Sequence, residues 1–274
     1  MLAQQKGVTT MALTDINNTS ACLDFVRLAP KYHIKPILGI DFRKGALQQF
    51  IMLAKNNEGF MHINRYLSLF LHSKENITPR AKPLPNTFVI YPFADFKGTE
   101  LSENEFLGVR IEDINRLKFS PWKDCLEKLV ILHTVSFQNK KGFNTHRLLR
   151  AIDNNTLLSK LPPSEQGIEN DTFILQTELE TAFQDFPKLI ENTHNLLAEC
   201  SIHFDFSKEI PNNQTSYTNN ETLDFRLLKK LAYGGITYRY GIPNDNVLSR
   251  IRKELNIIQQ KGFVSYFLIN WKIL

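Results

Sequence analysis

Strand-like apolar runs alternate with a helical repeat over the first 60 residues of this 274-residue chain. Residues 8–13 and 36–42 are short β-branched and apolar runs, which is the usual composition of strands. Between them, four apolar residues recur at helical spacing: Cys22, Phe25, Val26 and Ala29. A strand, a helix and a strand in this order form a β-α-β unit with parallel strands. An α/β sheet or barrel is therefore predicted.

The alternation continues to about residue 205. Further strand patterns cover residues 49–54, 87–91, 106–109, 127–135 and 202–206. Helical patterns cover residues 57–70, 144–154 and 187–200. In the second of these helices, Leu148, Leu149 and Ile152 form an apolar stripe at helical spacing.

The composition of the chain changes near residue 206. Residues 211–220 are rich in Asn, Thr and Ser and form the best linker candidate. Residues 206–274 contain ten Lys and Arg against five Asp and Glu, whereas residues 1–205 contain 23 of each. We therefore predict two domains, residues 1–205 and residues 206–274, and the second carries the whole net charge of +5.

The second domain ends in a helix, a stop and a more apolar helix. The first helix has four apolar residues at helical spacing: Leu248, Ile251, Leu255 and Ile258. Lys261 and Gly262 then interrupt the pattern before the apolar run 263–271, and glycine commonly ends a helix in this way.

This last segment carries a family resemblance. Residues 250–271 read R-I-R-K-E-L-N-I-I-Q-Q-K-G-F-V-S-Y-F-L-I-N-W. They resemble the pattern R-x-x-x-E-L-x-x-I-x-x-x-G-F-x-x-Y-F-L-I-x-W of the alpha subunits of bacterial DNA polymerase III. Earlier segments resemble blocks of the same family in the same order: residues 11–15 with 34–41, residues 50–60, and residues 178–193. The resemblance covers nearly the whole chain.

The resemblance implies a fold for each domain. Residues 1–205 would be a polymerase-and-histidinol-phosphatase (PHP) domain, a distorted parallel β/α barrel that is incomplete here at its N-terminus. Residues 206–274 would be a mostly helical extension, the beginning of the polymerase palm. The implied reaction of the full-length protein is template-directed nucleotidyl transfer to DNA, with Mg²⁺ held by palm carboxylates beyond Leu274. No catalytic residue and no cofactor are therefore expected in this fragment.

PHP domains of this family can hold metal ions at the ends of their strands, and the resemblance implies a vestige of such a site here. Asp15 and Asp41 match two ligand positions, although the second position usually holds Glu. His133 lies near a third position. Two carboxylates and one imidazole are too few for a metal cluster.

The other ligand positions hold residues that do not suit a metal. Ile16 follows Asp15 where the family usually has His, and Thr134 and Ser136 replace an Asp and a His. The opening His-x-His pair of the family would precede Leu2. We therefore expect a degenerate 3′–5′ exonuclease or phosphatase site that binds no metal.

Cations of the second domain are the candidate DNA-binding residues. They are Arg226, Lys229, Lys230, Arg239, Arg250, Arg252 and Lys253. Neutralising phosphates releases counterions and yields affinity that depends on salt. The alternative is that these side chains only form a solvated helix face.

The resemblance implies several partners and leaves alternatives open. DNA, the sliding clamp, the clamp loader and the proofreading exonuclease are the partners implied for the full-length protein. The alternatives for this fragment are a non-catalytic PHP scaffold that docks other replisome proteins and, with less support, a stand-alone metal-dependent phosphoesterase.

Composition fits a cytoplasmic protein with no membrane partner. The sequence has no uninterrupted apolar run long enough to span a membrane and no signal peptide at its start. Its three cysteines are Cys22, Cys125 and Cys200, far apart and without a C-x-x-C motif. They are expected to be reduced structural thiols.

Overall fold

A computed structural model describes residues 2–73, 76–98, 100–206 and 216–273. The chain divides into two compact units, residues 1–205 and residues 206–274. Residues 211–215 of the predicted linker lie outside the described residues.

The first unit is built on a six-stranded sheet whose strands lie in chain order. They are β1 (Thr10–Leu13), β2 (Lys35–Lys44), β3 (Leu47–Ala54), β4 (Thr87–Pro92), β5 (Glu105–Val109) and β6 (Leu129–Ile131). β1 and β2 are parallel, and so are β4, β5 and β6, whereas β3 is antiparallel to both of its neighbours. Five strands therefore point the same way, and the sheet forms an incomplete, mostly parallel α/β barrel.

The reversal at β3 corrects the prediction of an entirely parallel sheet. β2 and β3 pair from Lys44 and Leu47 outwards, so only Gly45 and Ala46 connect them. A parallel return needs a long crossover, whereas two residues suffice for a hairpin. Gly45 has φ of +61°, a left-handed conformation that glycine adopts without steric cost.

Seven helices surround the sheet in the described part of this unit. They are α1 (Leu2–Gln5), α2 (Cys22–Leu28), α3 (Asn57–Ser73), α4 (Ile114–Lys118), α5 (Lys140–Asp153), α6 (Gln176–Ala182) and α7 (Pro187–Ala198). Alternate residues of β3 enter two hydrophobic clusters. Met52 packs in the cluster that contains Ile63 of α3, and Leu53 packs in the cluster that contains Leu196 of α7. The period-two pattern of a strand thus places core on both faces of the sheet.

Two of the predicted strands differ in the structure. Residues 202–206 form no strand, because the side-chain amide of Asn57 bonds both the carbonyl and the N–H of His203 and satisfies that backbone. The predicted strand 127–135 shortens to β6, since residues 126–128 form a 3-10 turn.

The apolar stripe of α5 does not face the core. Leu148, Leu149 and Ile152 are 50%, 60% and 66% exposed, whereas Phe143 and Ala151 of the same helix are buried. The helix was predicted correctly, and its buried face is formed by residues other than this stripe.

The second unit is helical in its described residues. Its helices are α8 (Glu221–Gly234), α9 (Ile236–Tyr240), α10 (Asp245–Gln260) and α11 (Val264–Ile273). Leu228, Leu255 and Leu268 form its buried centre. Gly262 has φ of +70° between α10 and α11, as expected of a glycine that ends a helix. The predicted fold class, an incomplete α/β barrel followed by a mostly helical extension, is confirmed.

The cysteines and the membrane prediction have simple outcomes. All three cysteines are free; Cys22 and Cys200 are buried, whereas Cys125 is exposed rather than packed. Among the described residues, no helix has the length and apolarity needed to cross a membrane.

Candidate site at the ends of the parallel strands

Asp15 and Asp41 lie beside each other where β1 ends against β2. The backbone N–H of Asp41 donates to the carbonyl of Asp15 at 3.2 Å, and Ile16 forms a parallel bridge with Asp41. The two residues are therefore close in space, and Asp41 lies inside β2 and not after it. Ile16 is 51% exposed, so its side chain does not fill the interior of the site.

The carboxylate of Asp41 is held by protein donors. Its Oδ2 accepts hydrogen bonds from Nε and Nη2 of Arg43, at 2.9 and 2.7 Å, and from Nε2 of Gln48 at 2.9 Å. Asp41 is only 3% exposed. Its Oδ1 is buried without a hydrogen-bond partner among the described residues, which is costly for a carboxylate oxygen.

A second buried ion pair lies beyond the ends of β5 and β6. Nη1 of Arg110 donates to Oδ1 of Asp171 at 3.0 Å, and Nη2 donates to Oγ1 of Thr134 at 3.0 Å. Arg110 directly follows β5, whereas Asp171 comes from an irregular segment. The side chains of Arg110 and Asp171 are 16% and 8% exposed.

Burial and a neighbouring guanidinium act on Asp171 in opposite directions. Burial raises the pKa of Asp171 above its ordinary value, and the Arg110 guanidinium opposes that rise, with smaller contributions from Arg43 and His133. The two ion pairs together supply two guanidinium groups and two buried aspartates, and Asp15 lies beside Asp41.

His133 and Ser136 connect to the same segment as Asp171. Nε2 of His133 lies 2.9 Å from the carbonyl oxygen of Thr172, and since a carbonyl only accepts, that nitrogen carries the proton. The backbone N–H groups of Ser136 and Phe137 both donate to the carbonyl of Asp171, at 2.9 and 3.0 Å. His133 is thus hydrogen-bonded to the backbone of Thr172 and is not free to turn towards Asp15 or Asp41.

The thiol nearest to Asp15 is inert. Cys22 is 1% exposed, and burial, with the charge of Asp15 as a second cause, raises its pKa to about 11. At neutral pH it stays protonated and is neither a nucleophile nor a metal ligand.

Sequence reasoning missed Arg43, Arg110 and Asp171. Two signals were present: Arg43 stands two residues after Asp41, on the same face of a strand, and Arg110 directly follows the strand pattern 106–109. Asp171 gave no local signal, because it lies in a segment without periodicity.

The cations predicted to bind DNA lie on helices of the second unit. Arg226, Lys229 and Lys230 are exposed on α8, and Arg252 and Lys253 are exposed on α10. The other two are Arg239 on α9 and Arg250, whose Nε lies 2.6 Å from Oε1 of Glu254. Arg250 is therefore partly neutralised within its own helix.

Comparison with known proteins gives two matched family models. Residues 2–88 match the PHP domain, and residues 226–274 match the bacterial DNA polymerase III alpha NTPase domain. The first match falls in the first unit and the second match in the second unit. The fold and the matched residues therefore define an α/β protein that is similar to PHP domains over residues 2–88.

Curated relatives match almost the whole chain. A DNA polymerase III subunit alpha of Streptococcus pyogenes is 24% identical over 99% of this chain and 25% of its own length. One of Halalkalibacterium halodurans is 23% identical over 95% of this chain and 26% of its own length. An error-prone DNA polymerase of Symbiobacterium thermophilum is 22% identical over 97% and 29%.

The resemblance to the DNA polymerase III alpha subunit family is thereby confirmed. The chain spans about a quarter of the length of the curated relatives that it matches.

The residues of the site do not fit the metal cluster of a PHP domain. Oδ2 of Asp41 already accepts three hydrogen bonds, Asp171 is paired with Arg110, and Nε2 of His133 is bound to a carbonyl. No group of three or more His, Cys, Asp or Glu within the described ranges could hold a metal ion. A metal ion would have to displace two guanidinium groups.

Proposed function

We propose that this chain is the PHP domain and early palm region of a bacterial replicative DNA polymerase that acts in the cytoplasm. The carrying observation is that the two family matches fall in chain order, one in each compact unit. In the full-length protein the reaction is template-directed nucleotidyl transfer. Bound Mg²⁺ would activate the primer hydroxyl and stabilise the leaving pyrophosphate there.

The described part of the chain supplies no residues for that chemistry. A two-metal site needs carboxylates that converge on one point. In the second unit, the carboxylate of Asp224 accepts hydrogen bonds from residues 216–218, and Glu254 is paired with Arg250. The proposal is that this chain alone does not extend a primer.

The proposed contribution of the second unit is contact with the DNA backbone. α8 and α10 turn their apolar residues inward, including Leu228 and Leu255, and present exposed cations on their other faces. Exposed cations on neighbouring helices can track phosphates without reading bases. Binding should therefore be weak, independent of sequence and sensitive to salt.

Replacing two of these cations tests DNA binding. We expect Arg252→Ala/Lys253→Ala to weaken binding to a labelled duplex, because fewer phosphates are then neutralised. The slope of log affinity against log salt should flatten by about 0.9 for each phosphate that the variant no longer neutralises. Fluorescence anisotropy at several salt concentrations measures both quantities.

The matched control removes an equal charge from the first unit. Lys140 and Lys141 are also adjacent and exposed at the start of a helix, so Lys140→Ala/Lys141→Ala should leave the salt slope unchanged. Equal decreases in affinity for both double variants would mean that DNA binding depends only on net charge and that the cations of α10 only form a solvated helix face.

A docking role of the first unit is the second candidate function. The observation that favours it is the exposed stripe of Leu148, Leu149 and Ile152 on α5, since apolar patches on soluble proteins often mark interaction sites. The proposed partners are those of the full-length polymerase: the sliding clamp, the clamp loader and the proofreading exonuclease.

A test of turnover separates this docking role from a phosphoesterase. We expect no hydrolysis of a phosphomonoester or of a DNA 3′ end with Mn²⁺, Zn²⁺ or Mg²⁺, because no ligand set positions a nucleophilic water beside Asp15 and Asp41. Released phosphate and shortened DNA are the readouts. Metal-dependent turnover that Asp15→Ala and Asp41→Ala both abolish would contradict the docking role.

A further inference from the structure

An irregular segment, residues 171–176, connects the two edges of the incomplete barrel. At one end, the carbonyl of Asp171 accepts from Ser136 and Phe137, which follow β6. At the other end, the N–H of Gln176 donates to the carbonyl of Lys6 at 3.2 Å, just before β1. This bridging segment therefore ties the β6 edge to the β1 edge, although β1 and β6 are not paired with each other in the described sheet.

A hydrophobic contact supports the β1 end of the bridging segment. Phe173 packs against the small cluster that contains Ala3, Ala29 and Ile34. At the β6 end, the contacts are polar: His133 binds the carbonyl of Thr172 and Arg110 binds the carboxylate of Asp171. The polar end therefore depends on charge, and the charged group there is a guanidinium.

Two arginines stand where a barrel of this kind would use metal ions to neutralise its carboxylates. Arg43 clamps Asp41 through two nitrogens, and Arg110 binds both Asp171 and Thr134. Both aspartates are more than nine-tenths buried. A buried carboxylate needs a cation or several donors near it, and a planar guanidinium supplies both with a fixed geometry.

We propose that Arg43 and Arg110 replace the metal ions of the PHP site by neutralising Asp41 and Asp171, and that Arg110 thereby holds the bridging segment across the barrel without any metal. The site is then a structural clamp built from internal cations. This proposal does not depend on the polymerase function, because it concerns only the folding of the first unit.

The unpaired Oδ1 of Asp41 adds to the expected loss of stability when the arginines are removed. It is a buried acceptor in the same site. Once Arg43 is gone, this oxygen and the freed Oδ2 form a buried carboxylate without a cation, and removing Arg110 does the same to Asp171. Each arginine should therefore be needed for stability, whereas a divalent ion should not.

Thermal unfolding of the full chain in EDTA and in millimolar MnCl₂ tests the proposal. For the natural chain, we expect the same midpoint in both. Arg110→Ala should lower the midpoint in EDTA by about 6 °C or more, because it leaves a buried carboxylate unpaired. Adding Arg43→Ala should lower it further, because the Asp41 carboxylate then loses its cation as well.

The control is an exposed ion pair on the same stretch of chain. Lys140 and Glu169 pair at 2.9 Å, with side chains 77% and 48% exposed, so Lys140→Ala should change the midpoint by less than about 2 °C. If the alanine variants do not fold, Arg110→Lys and Asp171→Asn keep the test, since both weaken the pair without leaving a bare buried charge.

Two outcomes would overturn the proposal. One is a midpoint of the natural chain that is several degrees higher in MnCl₂ than in EDTA. The other is an Arg110 variant that is as stable as Lys140→Ala. Equal midpoints of the natural chain in EDTA and MnCl₂, together with the lower midpoint of Arg110→Ala, would support the proposal.

Discussion

Gly59→Ala should destabilise the first unit by about 3 kcal/mol or more. A Cβ at Gly59 would lie 1.9 Å from the carbonyl oxygen of Asn86 and 2.9 Å from its carbonyl carbon. The Asn86 backbone cannot yield easily, because its oxygen accepts from the N–H of Lys55 at 2.9 Å and its φ is already +56°. Thr87, the next residue, begins β4, so a shift would pull a central strand out of register.

Gly142→Ala provides a close control for this substitution. Both glycines are the third residue of a helix, and the N–H of each donates to the side chain of a capping asparagine, Asn56 at 3.0 Å and Asn139 at 3.1 Å. The nearest atom to a Cβ at Gly142 is 3.6 Å away, on Phe137. That is an ordinary contact, so Gly142→Ala should leave stability unchanged or raise it by up to about 1 kcal/mol.

Denaturant unfolding followed by circular dichroism compares the two variants. A decrease in stability for Gly59→Ala together with no decrease for Gly142→Ala is the expected result. Similar values for both variants would mean that helix propensity, and not the contact with Asn86, governs these positions.

The core elements of the fold were predictable because their periodicity is local. The patterns at residues 36–42, 49–54 and 87–91 became β2, β3 and β4, and the helical pattern at residues 57–70 became α3. The antiparallel direction of β3 depended on how few residues separate it from β2. The two-residue turn containing Gly45 was the available signal for it.

The buried face of α5 was not predictable from the same kind of pattern. Periodicity shows that Leu148, Leu149 and Ile152 share a face, but it does not show what covers that face. Phe143 and Ala151 are buried instead, because α5 packs against the rest of the first unit through a different face. The rings of Phe137 and Phe143, for example, have centroids 5.5 Å apart. Burial is a tertiary property, and a single helix does not encode it.

The candidate site shows the same division between local and distant information. Asp15 and Asp41 were identified because residues 11–15 and 34–41 resemble blocks of the family, and each lies in or beside a predicted strand, where parallel neighbouring strands bring such positions together. Asp171 reaches the site only because the bridging segment crosses from β6 to β1. The meaning of Arg43 and Arg110 follows from their partners, so it appears only once the three-dimensional contacts are known.

Asp224→Asn should destabilise the second unit by about 3 kcal/mol. Asp224 lies in the first turn of α8 and is only 1% exposed. Its oxygens accept hydrogen bonds from Oγ of Ser216, the N–H of Tyr217, and both the N–H and Oγ1 of Thr218, at 2.7 to 2.9 Å. The side chain of Asn has the same shape, but its NH2 group is a donor and would face these donors. Each hydrogen bond to a charged group contributes about 1.5–3 kcal/mol, so the loss of such bonds is costly.

Asp245→Asn is the matched control in the same unit. Asp245 is also in the first turn of a helix, α10, but it is exposed, so its replacement should change stability by no more than about 0.5 kcal/mol. Hydrogen exchange of peptides from residues 216–240, read by mass spectrometry, should accelerate in Asp224→Asn and not in Asp245→Asn. Equal exchange in the two variants would show that the carboxylate does not hold residues 216–218 against α8.

The pH dependence of this difference distinguishes a charge effect from a packing effect. Burial raises the pKa of Asp224, but hydrogen bonds from Thr218, Tyr217 and Ser216 outweigh it and hold the pKa below its ordinary value. A carboxyl group with a lowered pKa in the folded state adds stability above its unfolded value, about 3.9, and loses that contribution as the pH falls through the folded value. The natural chain should therefore exceed Asp224→Asn in stability by a constant amount from pH 7 to about pH 5, and the gap should narrow below pH 4. Denaturant unfolding at several pH values measures the gap, and a gap that persists unchanged at pH 3 would show that shape, and not charge, makes Asp224 necessary.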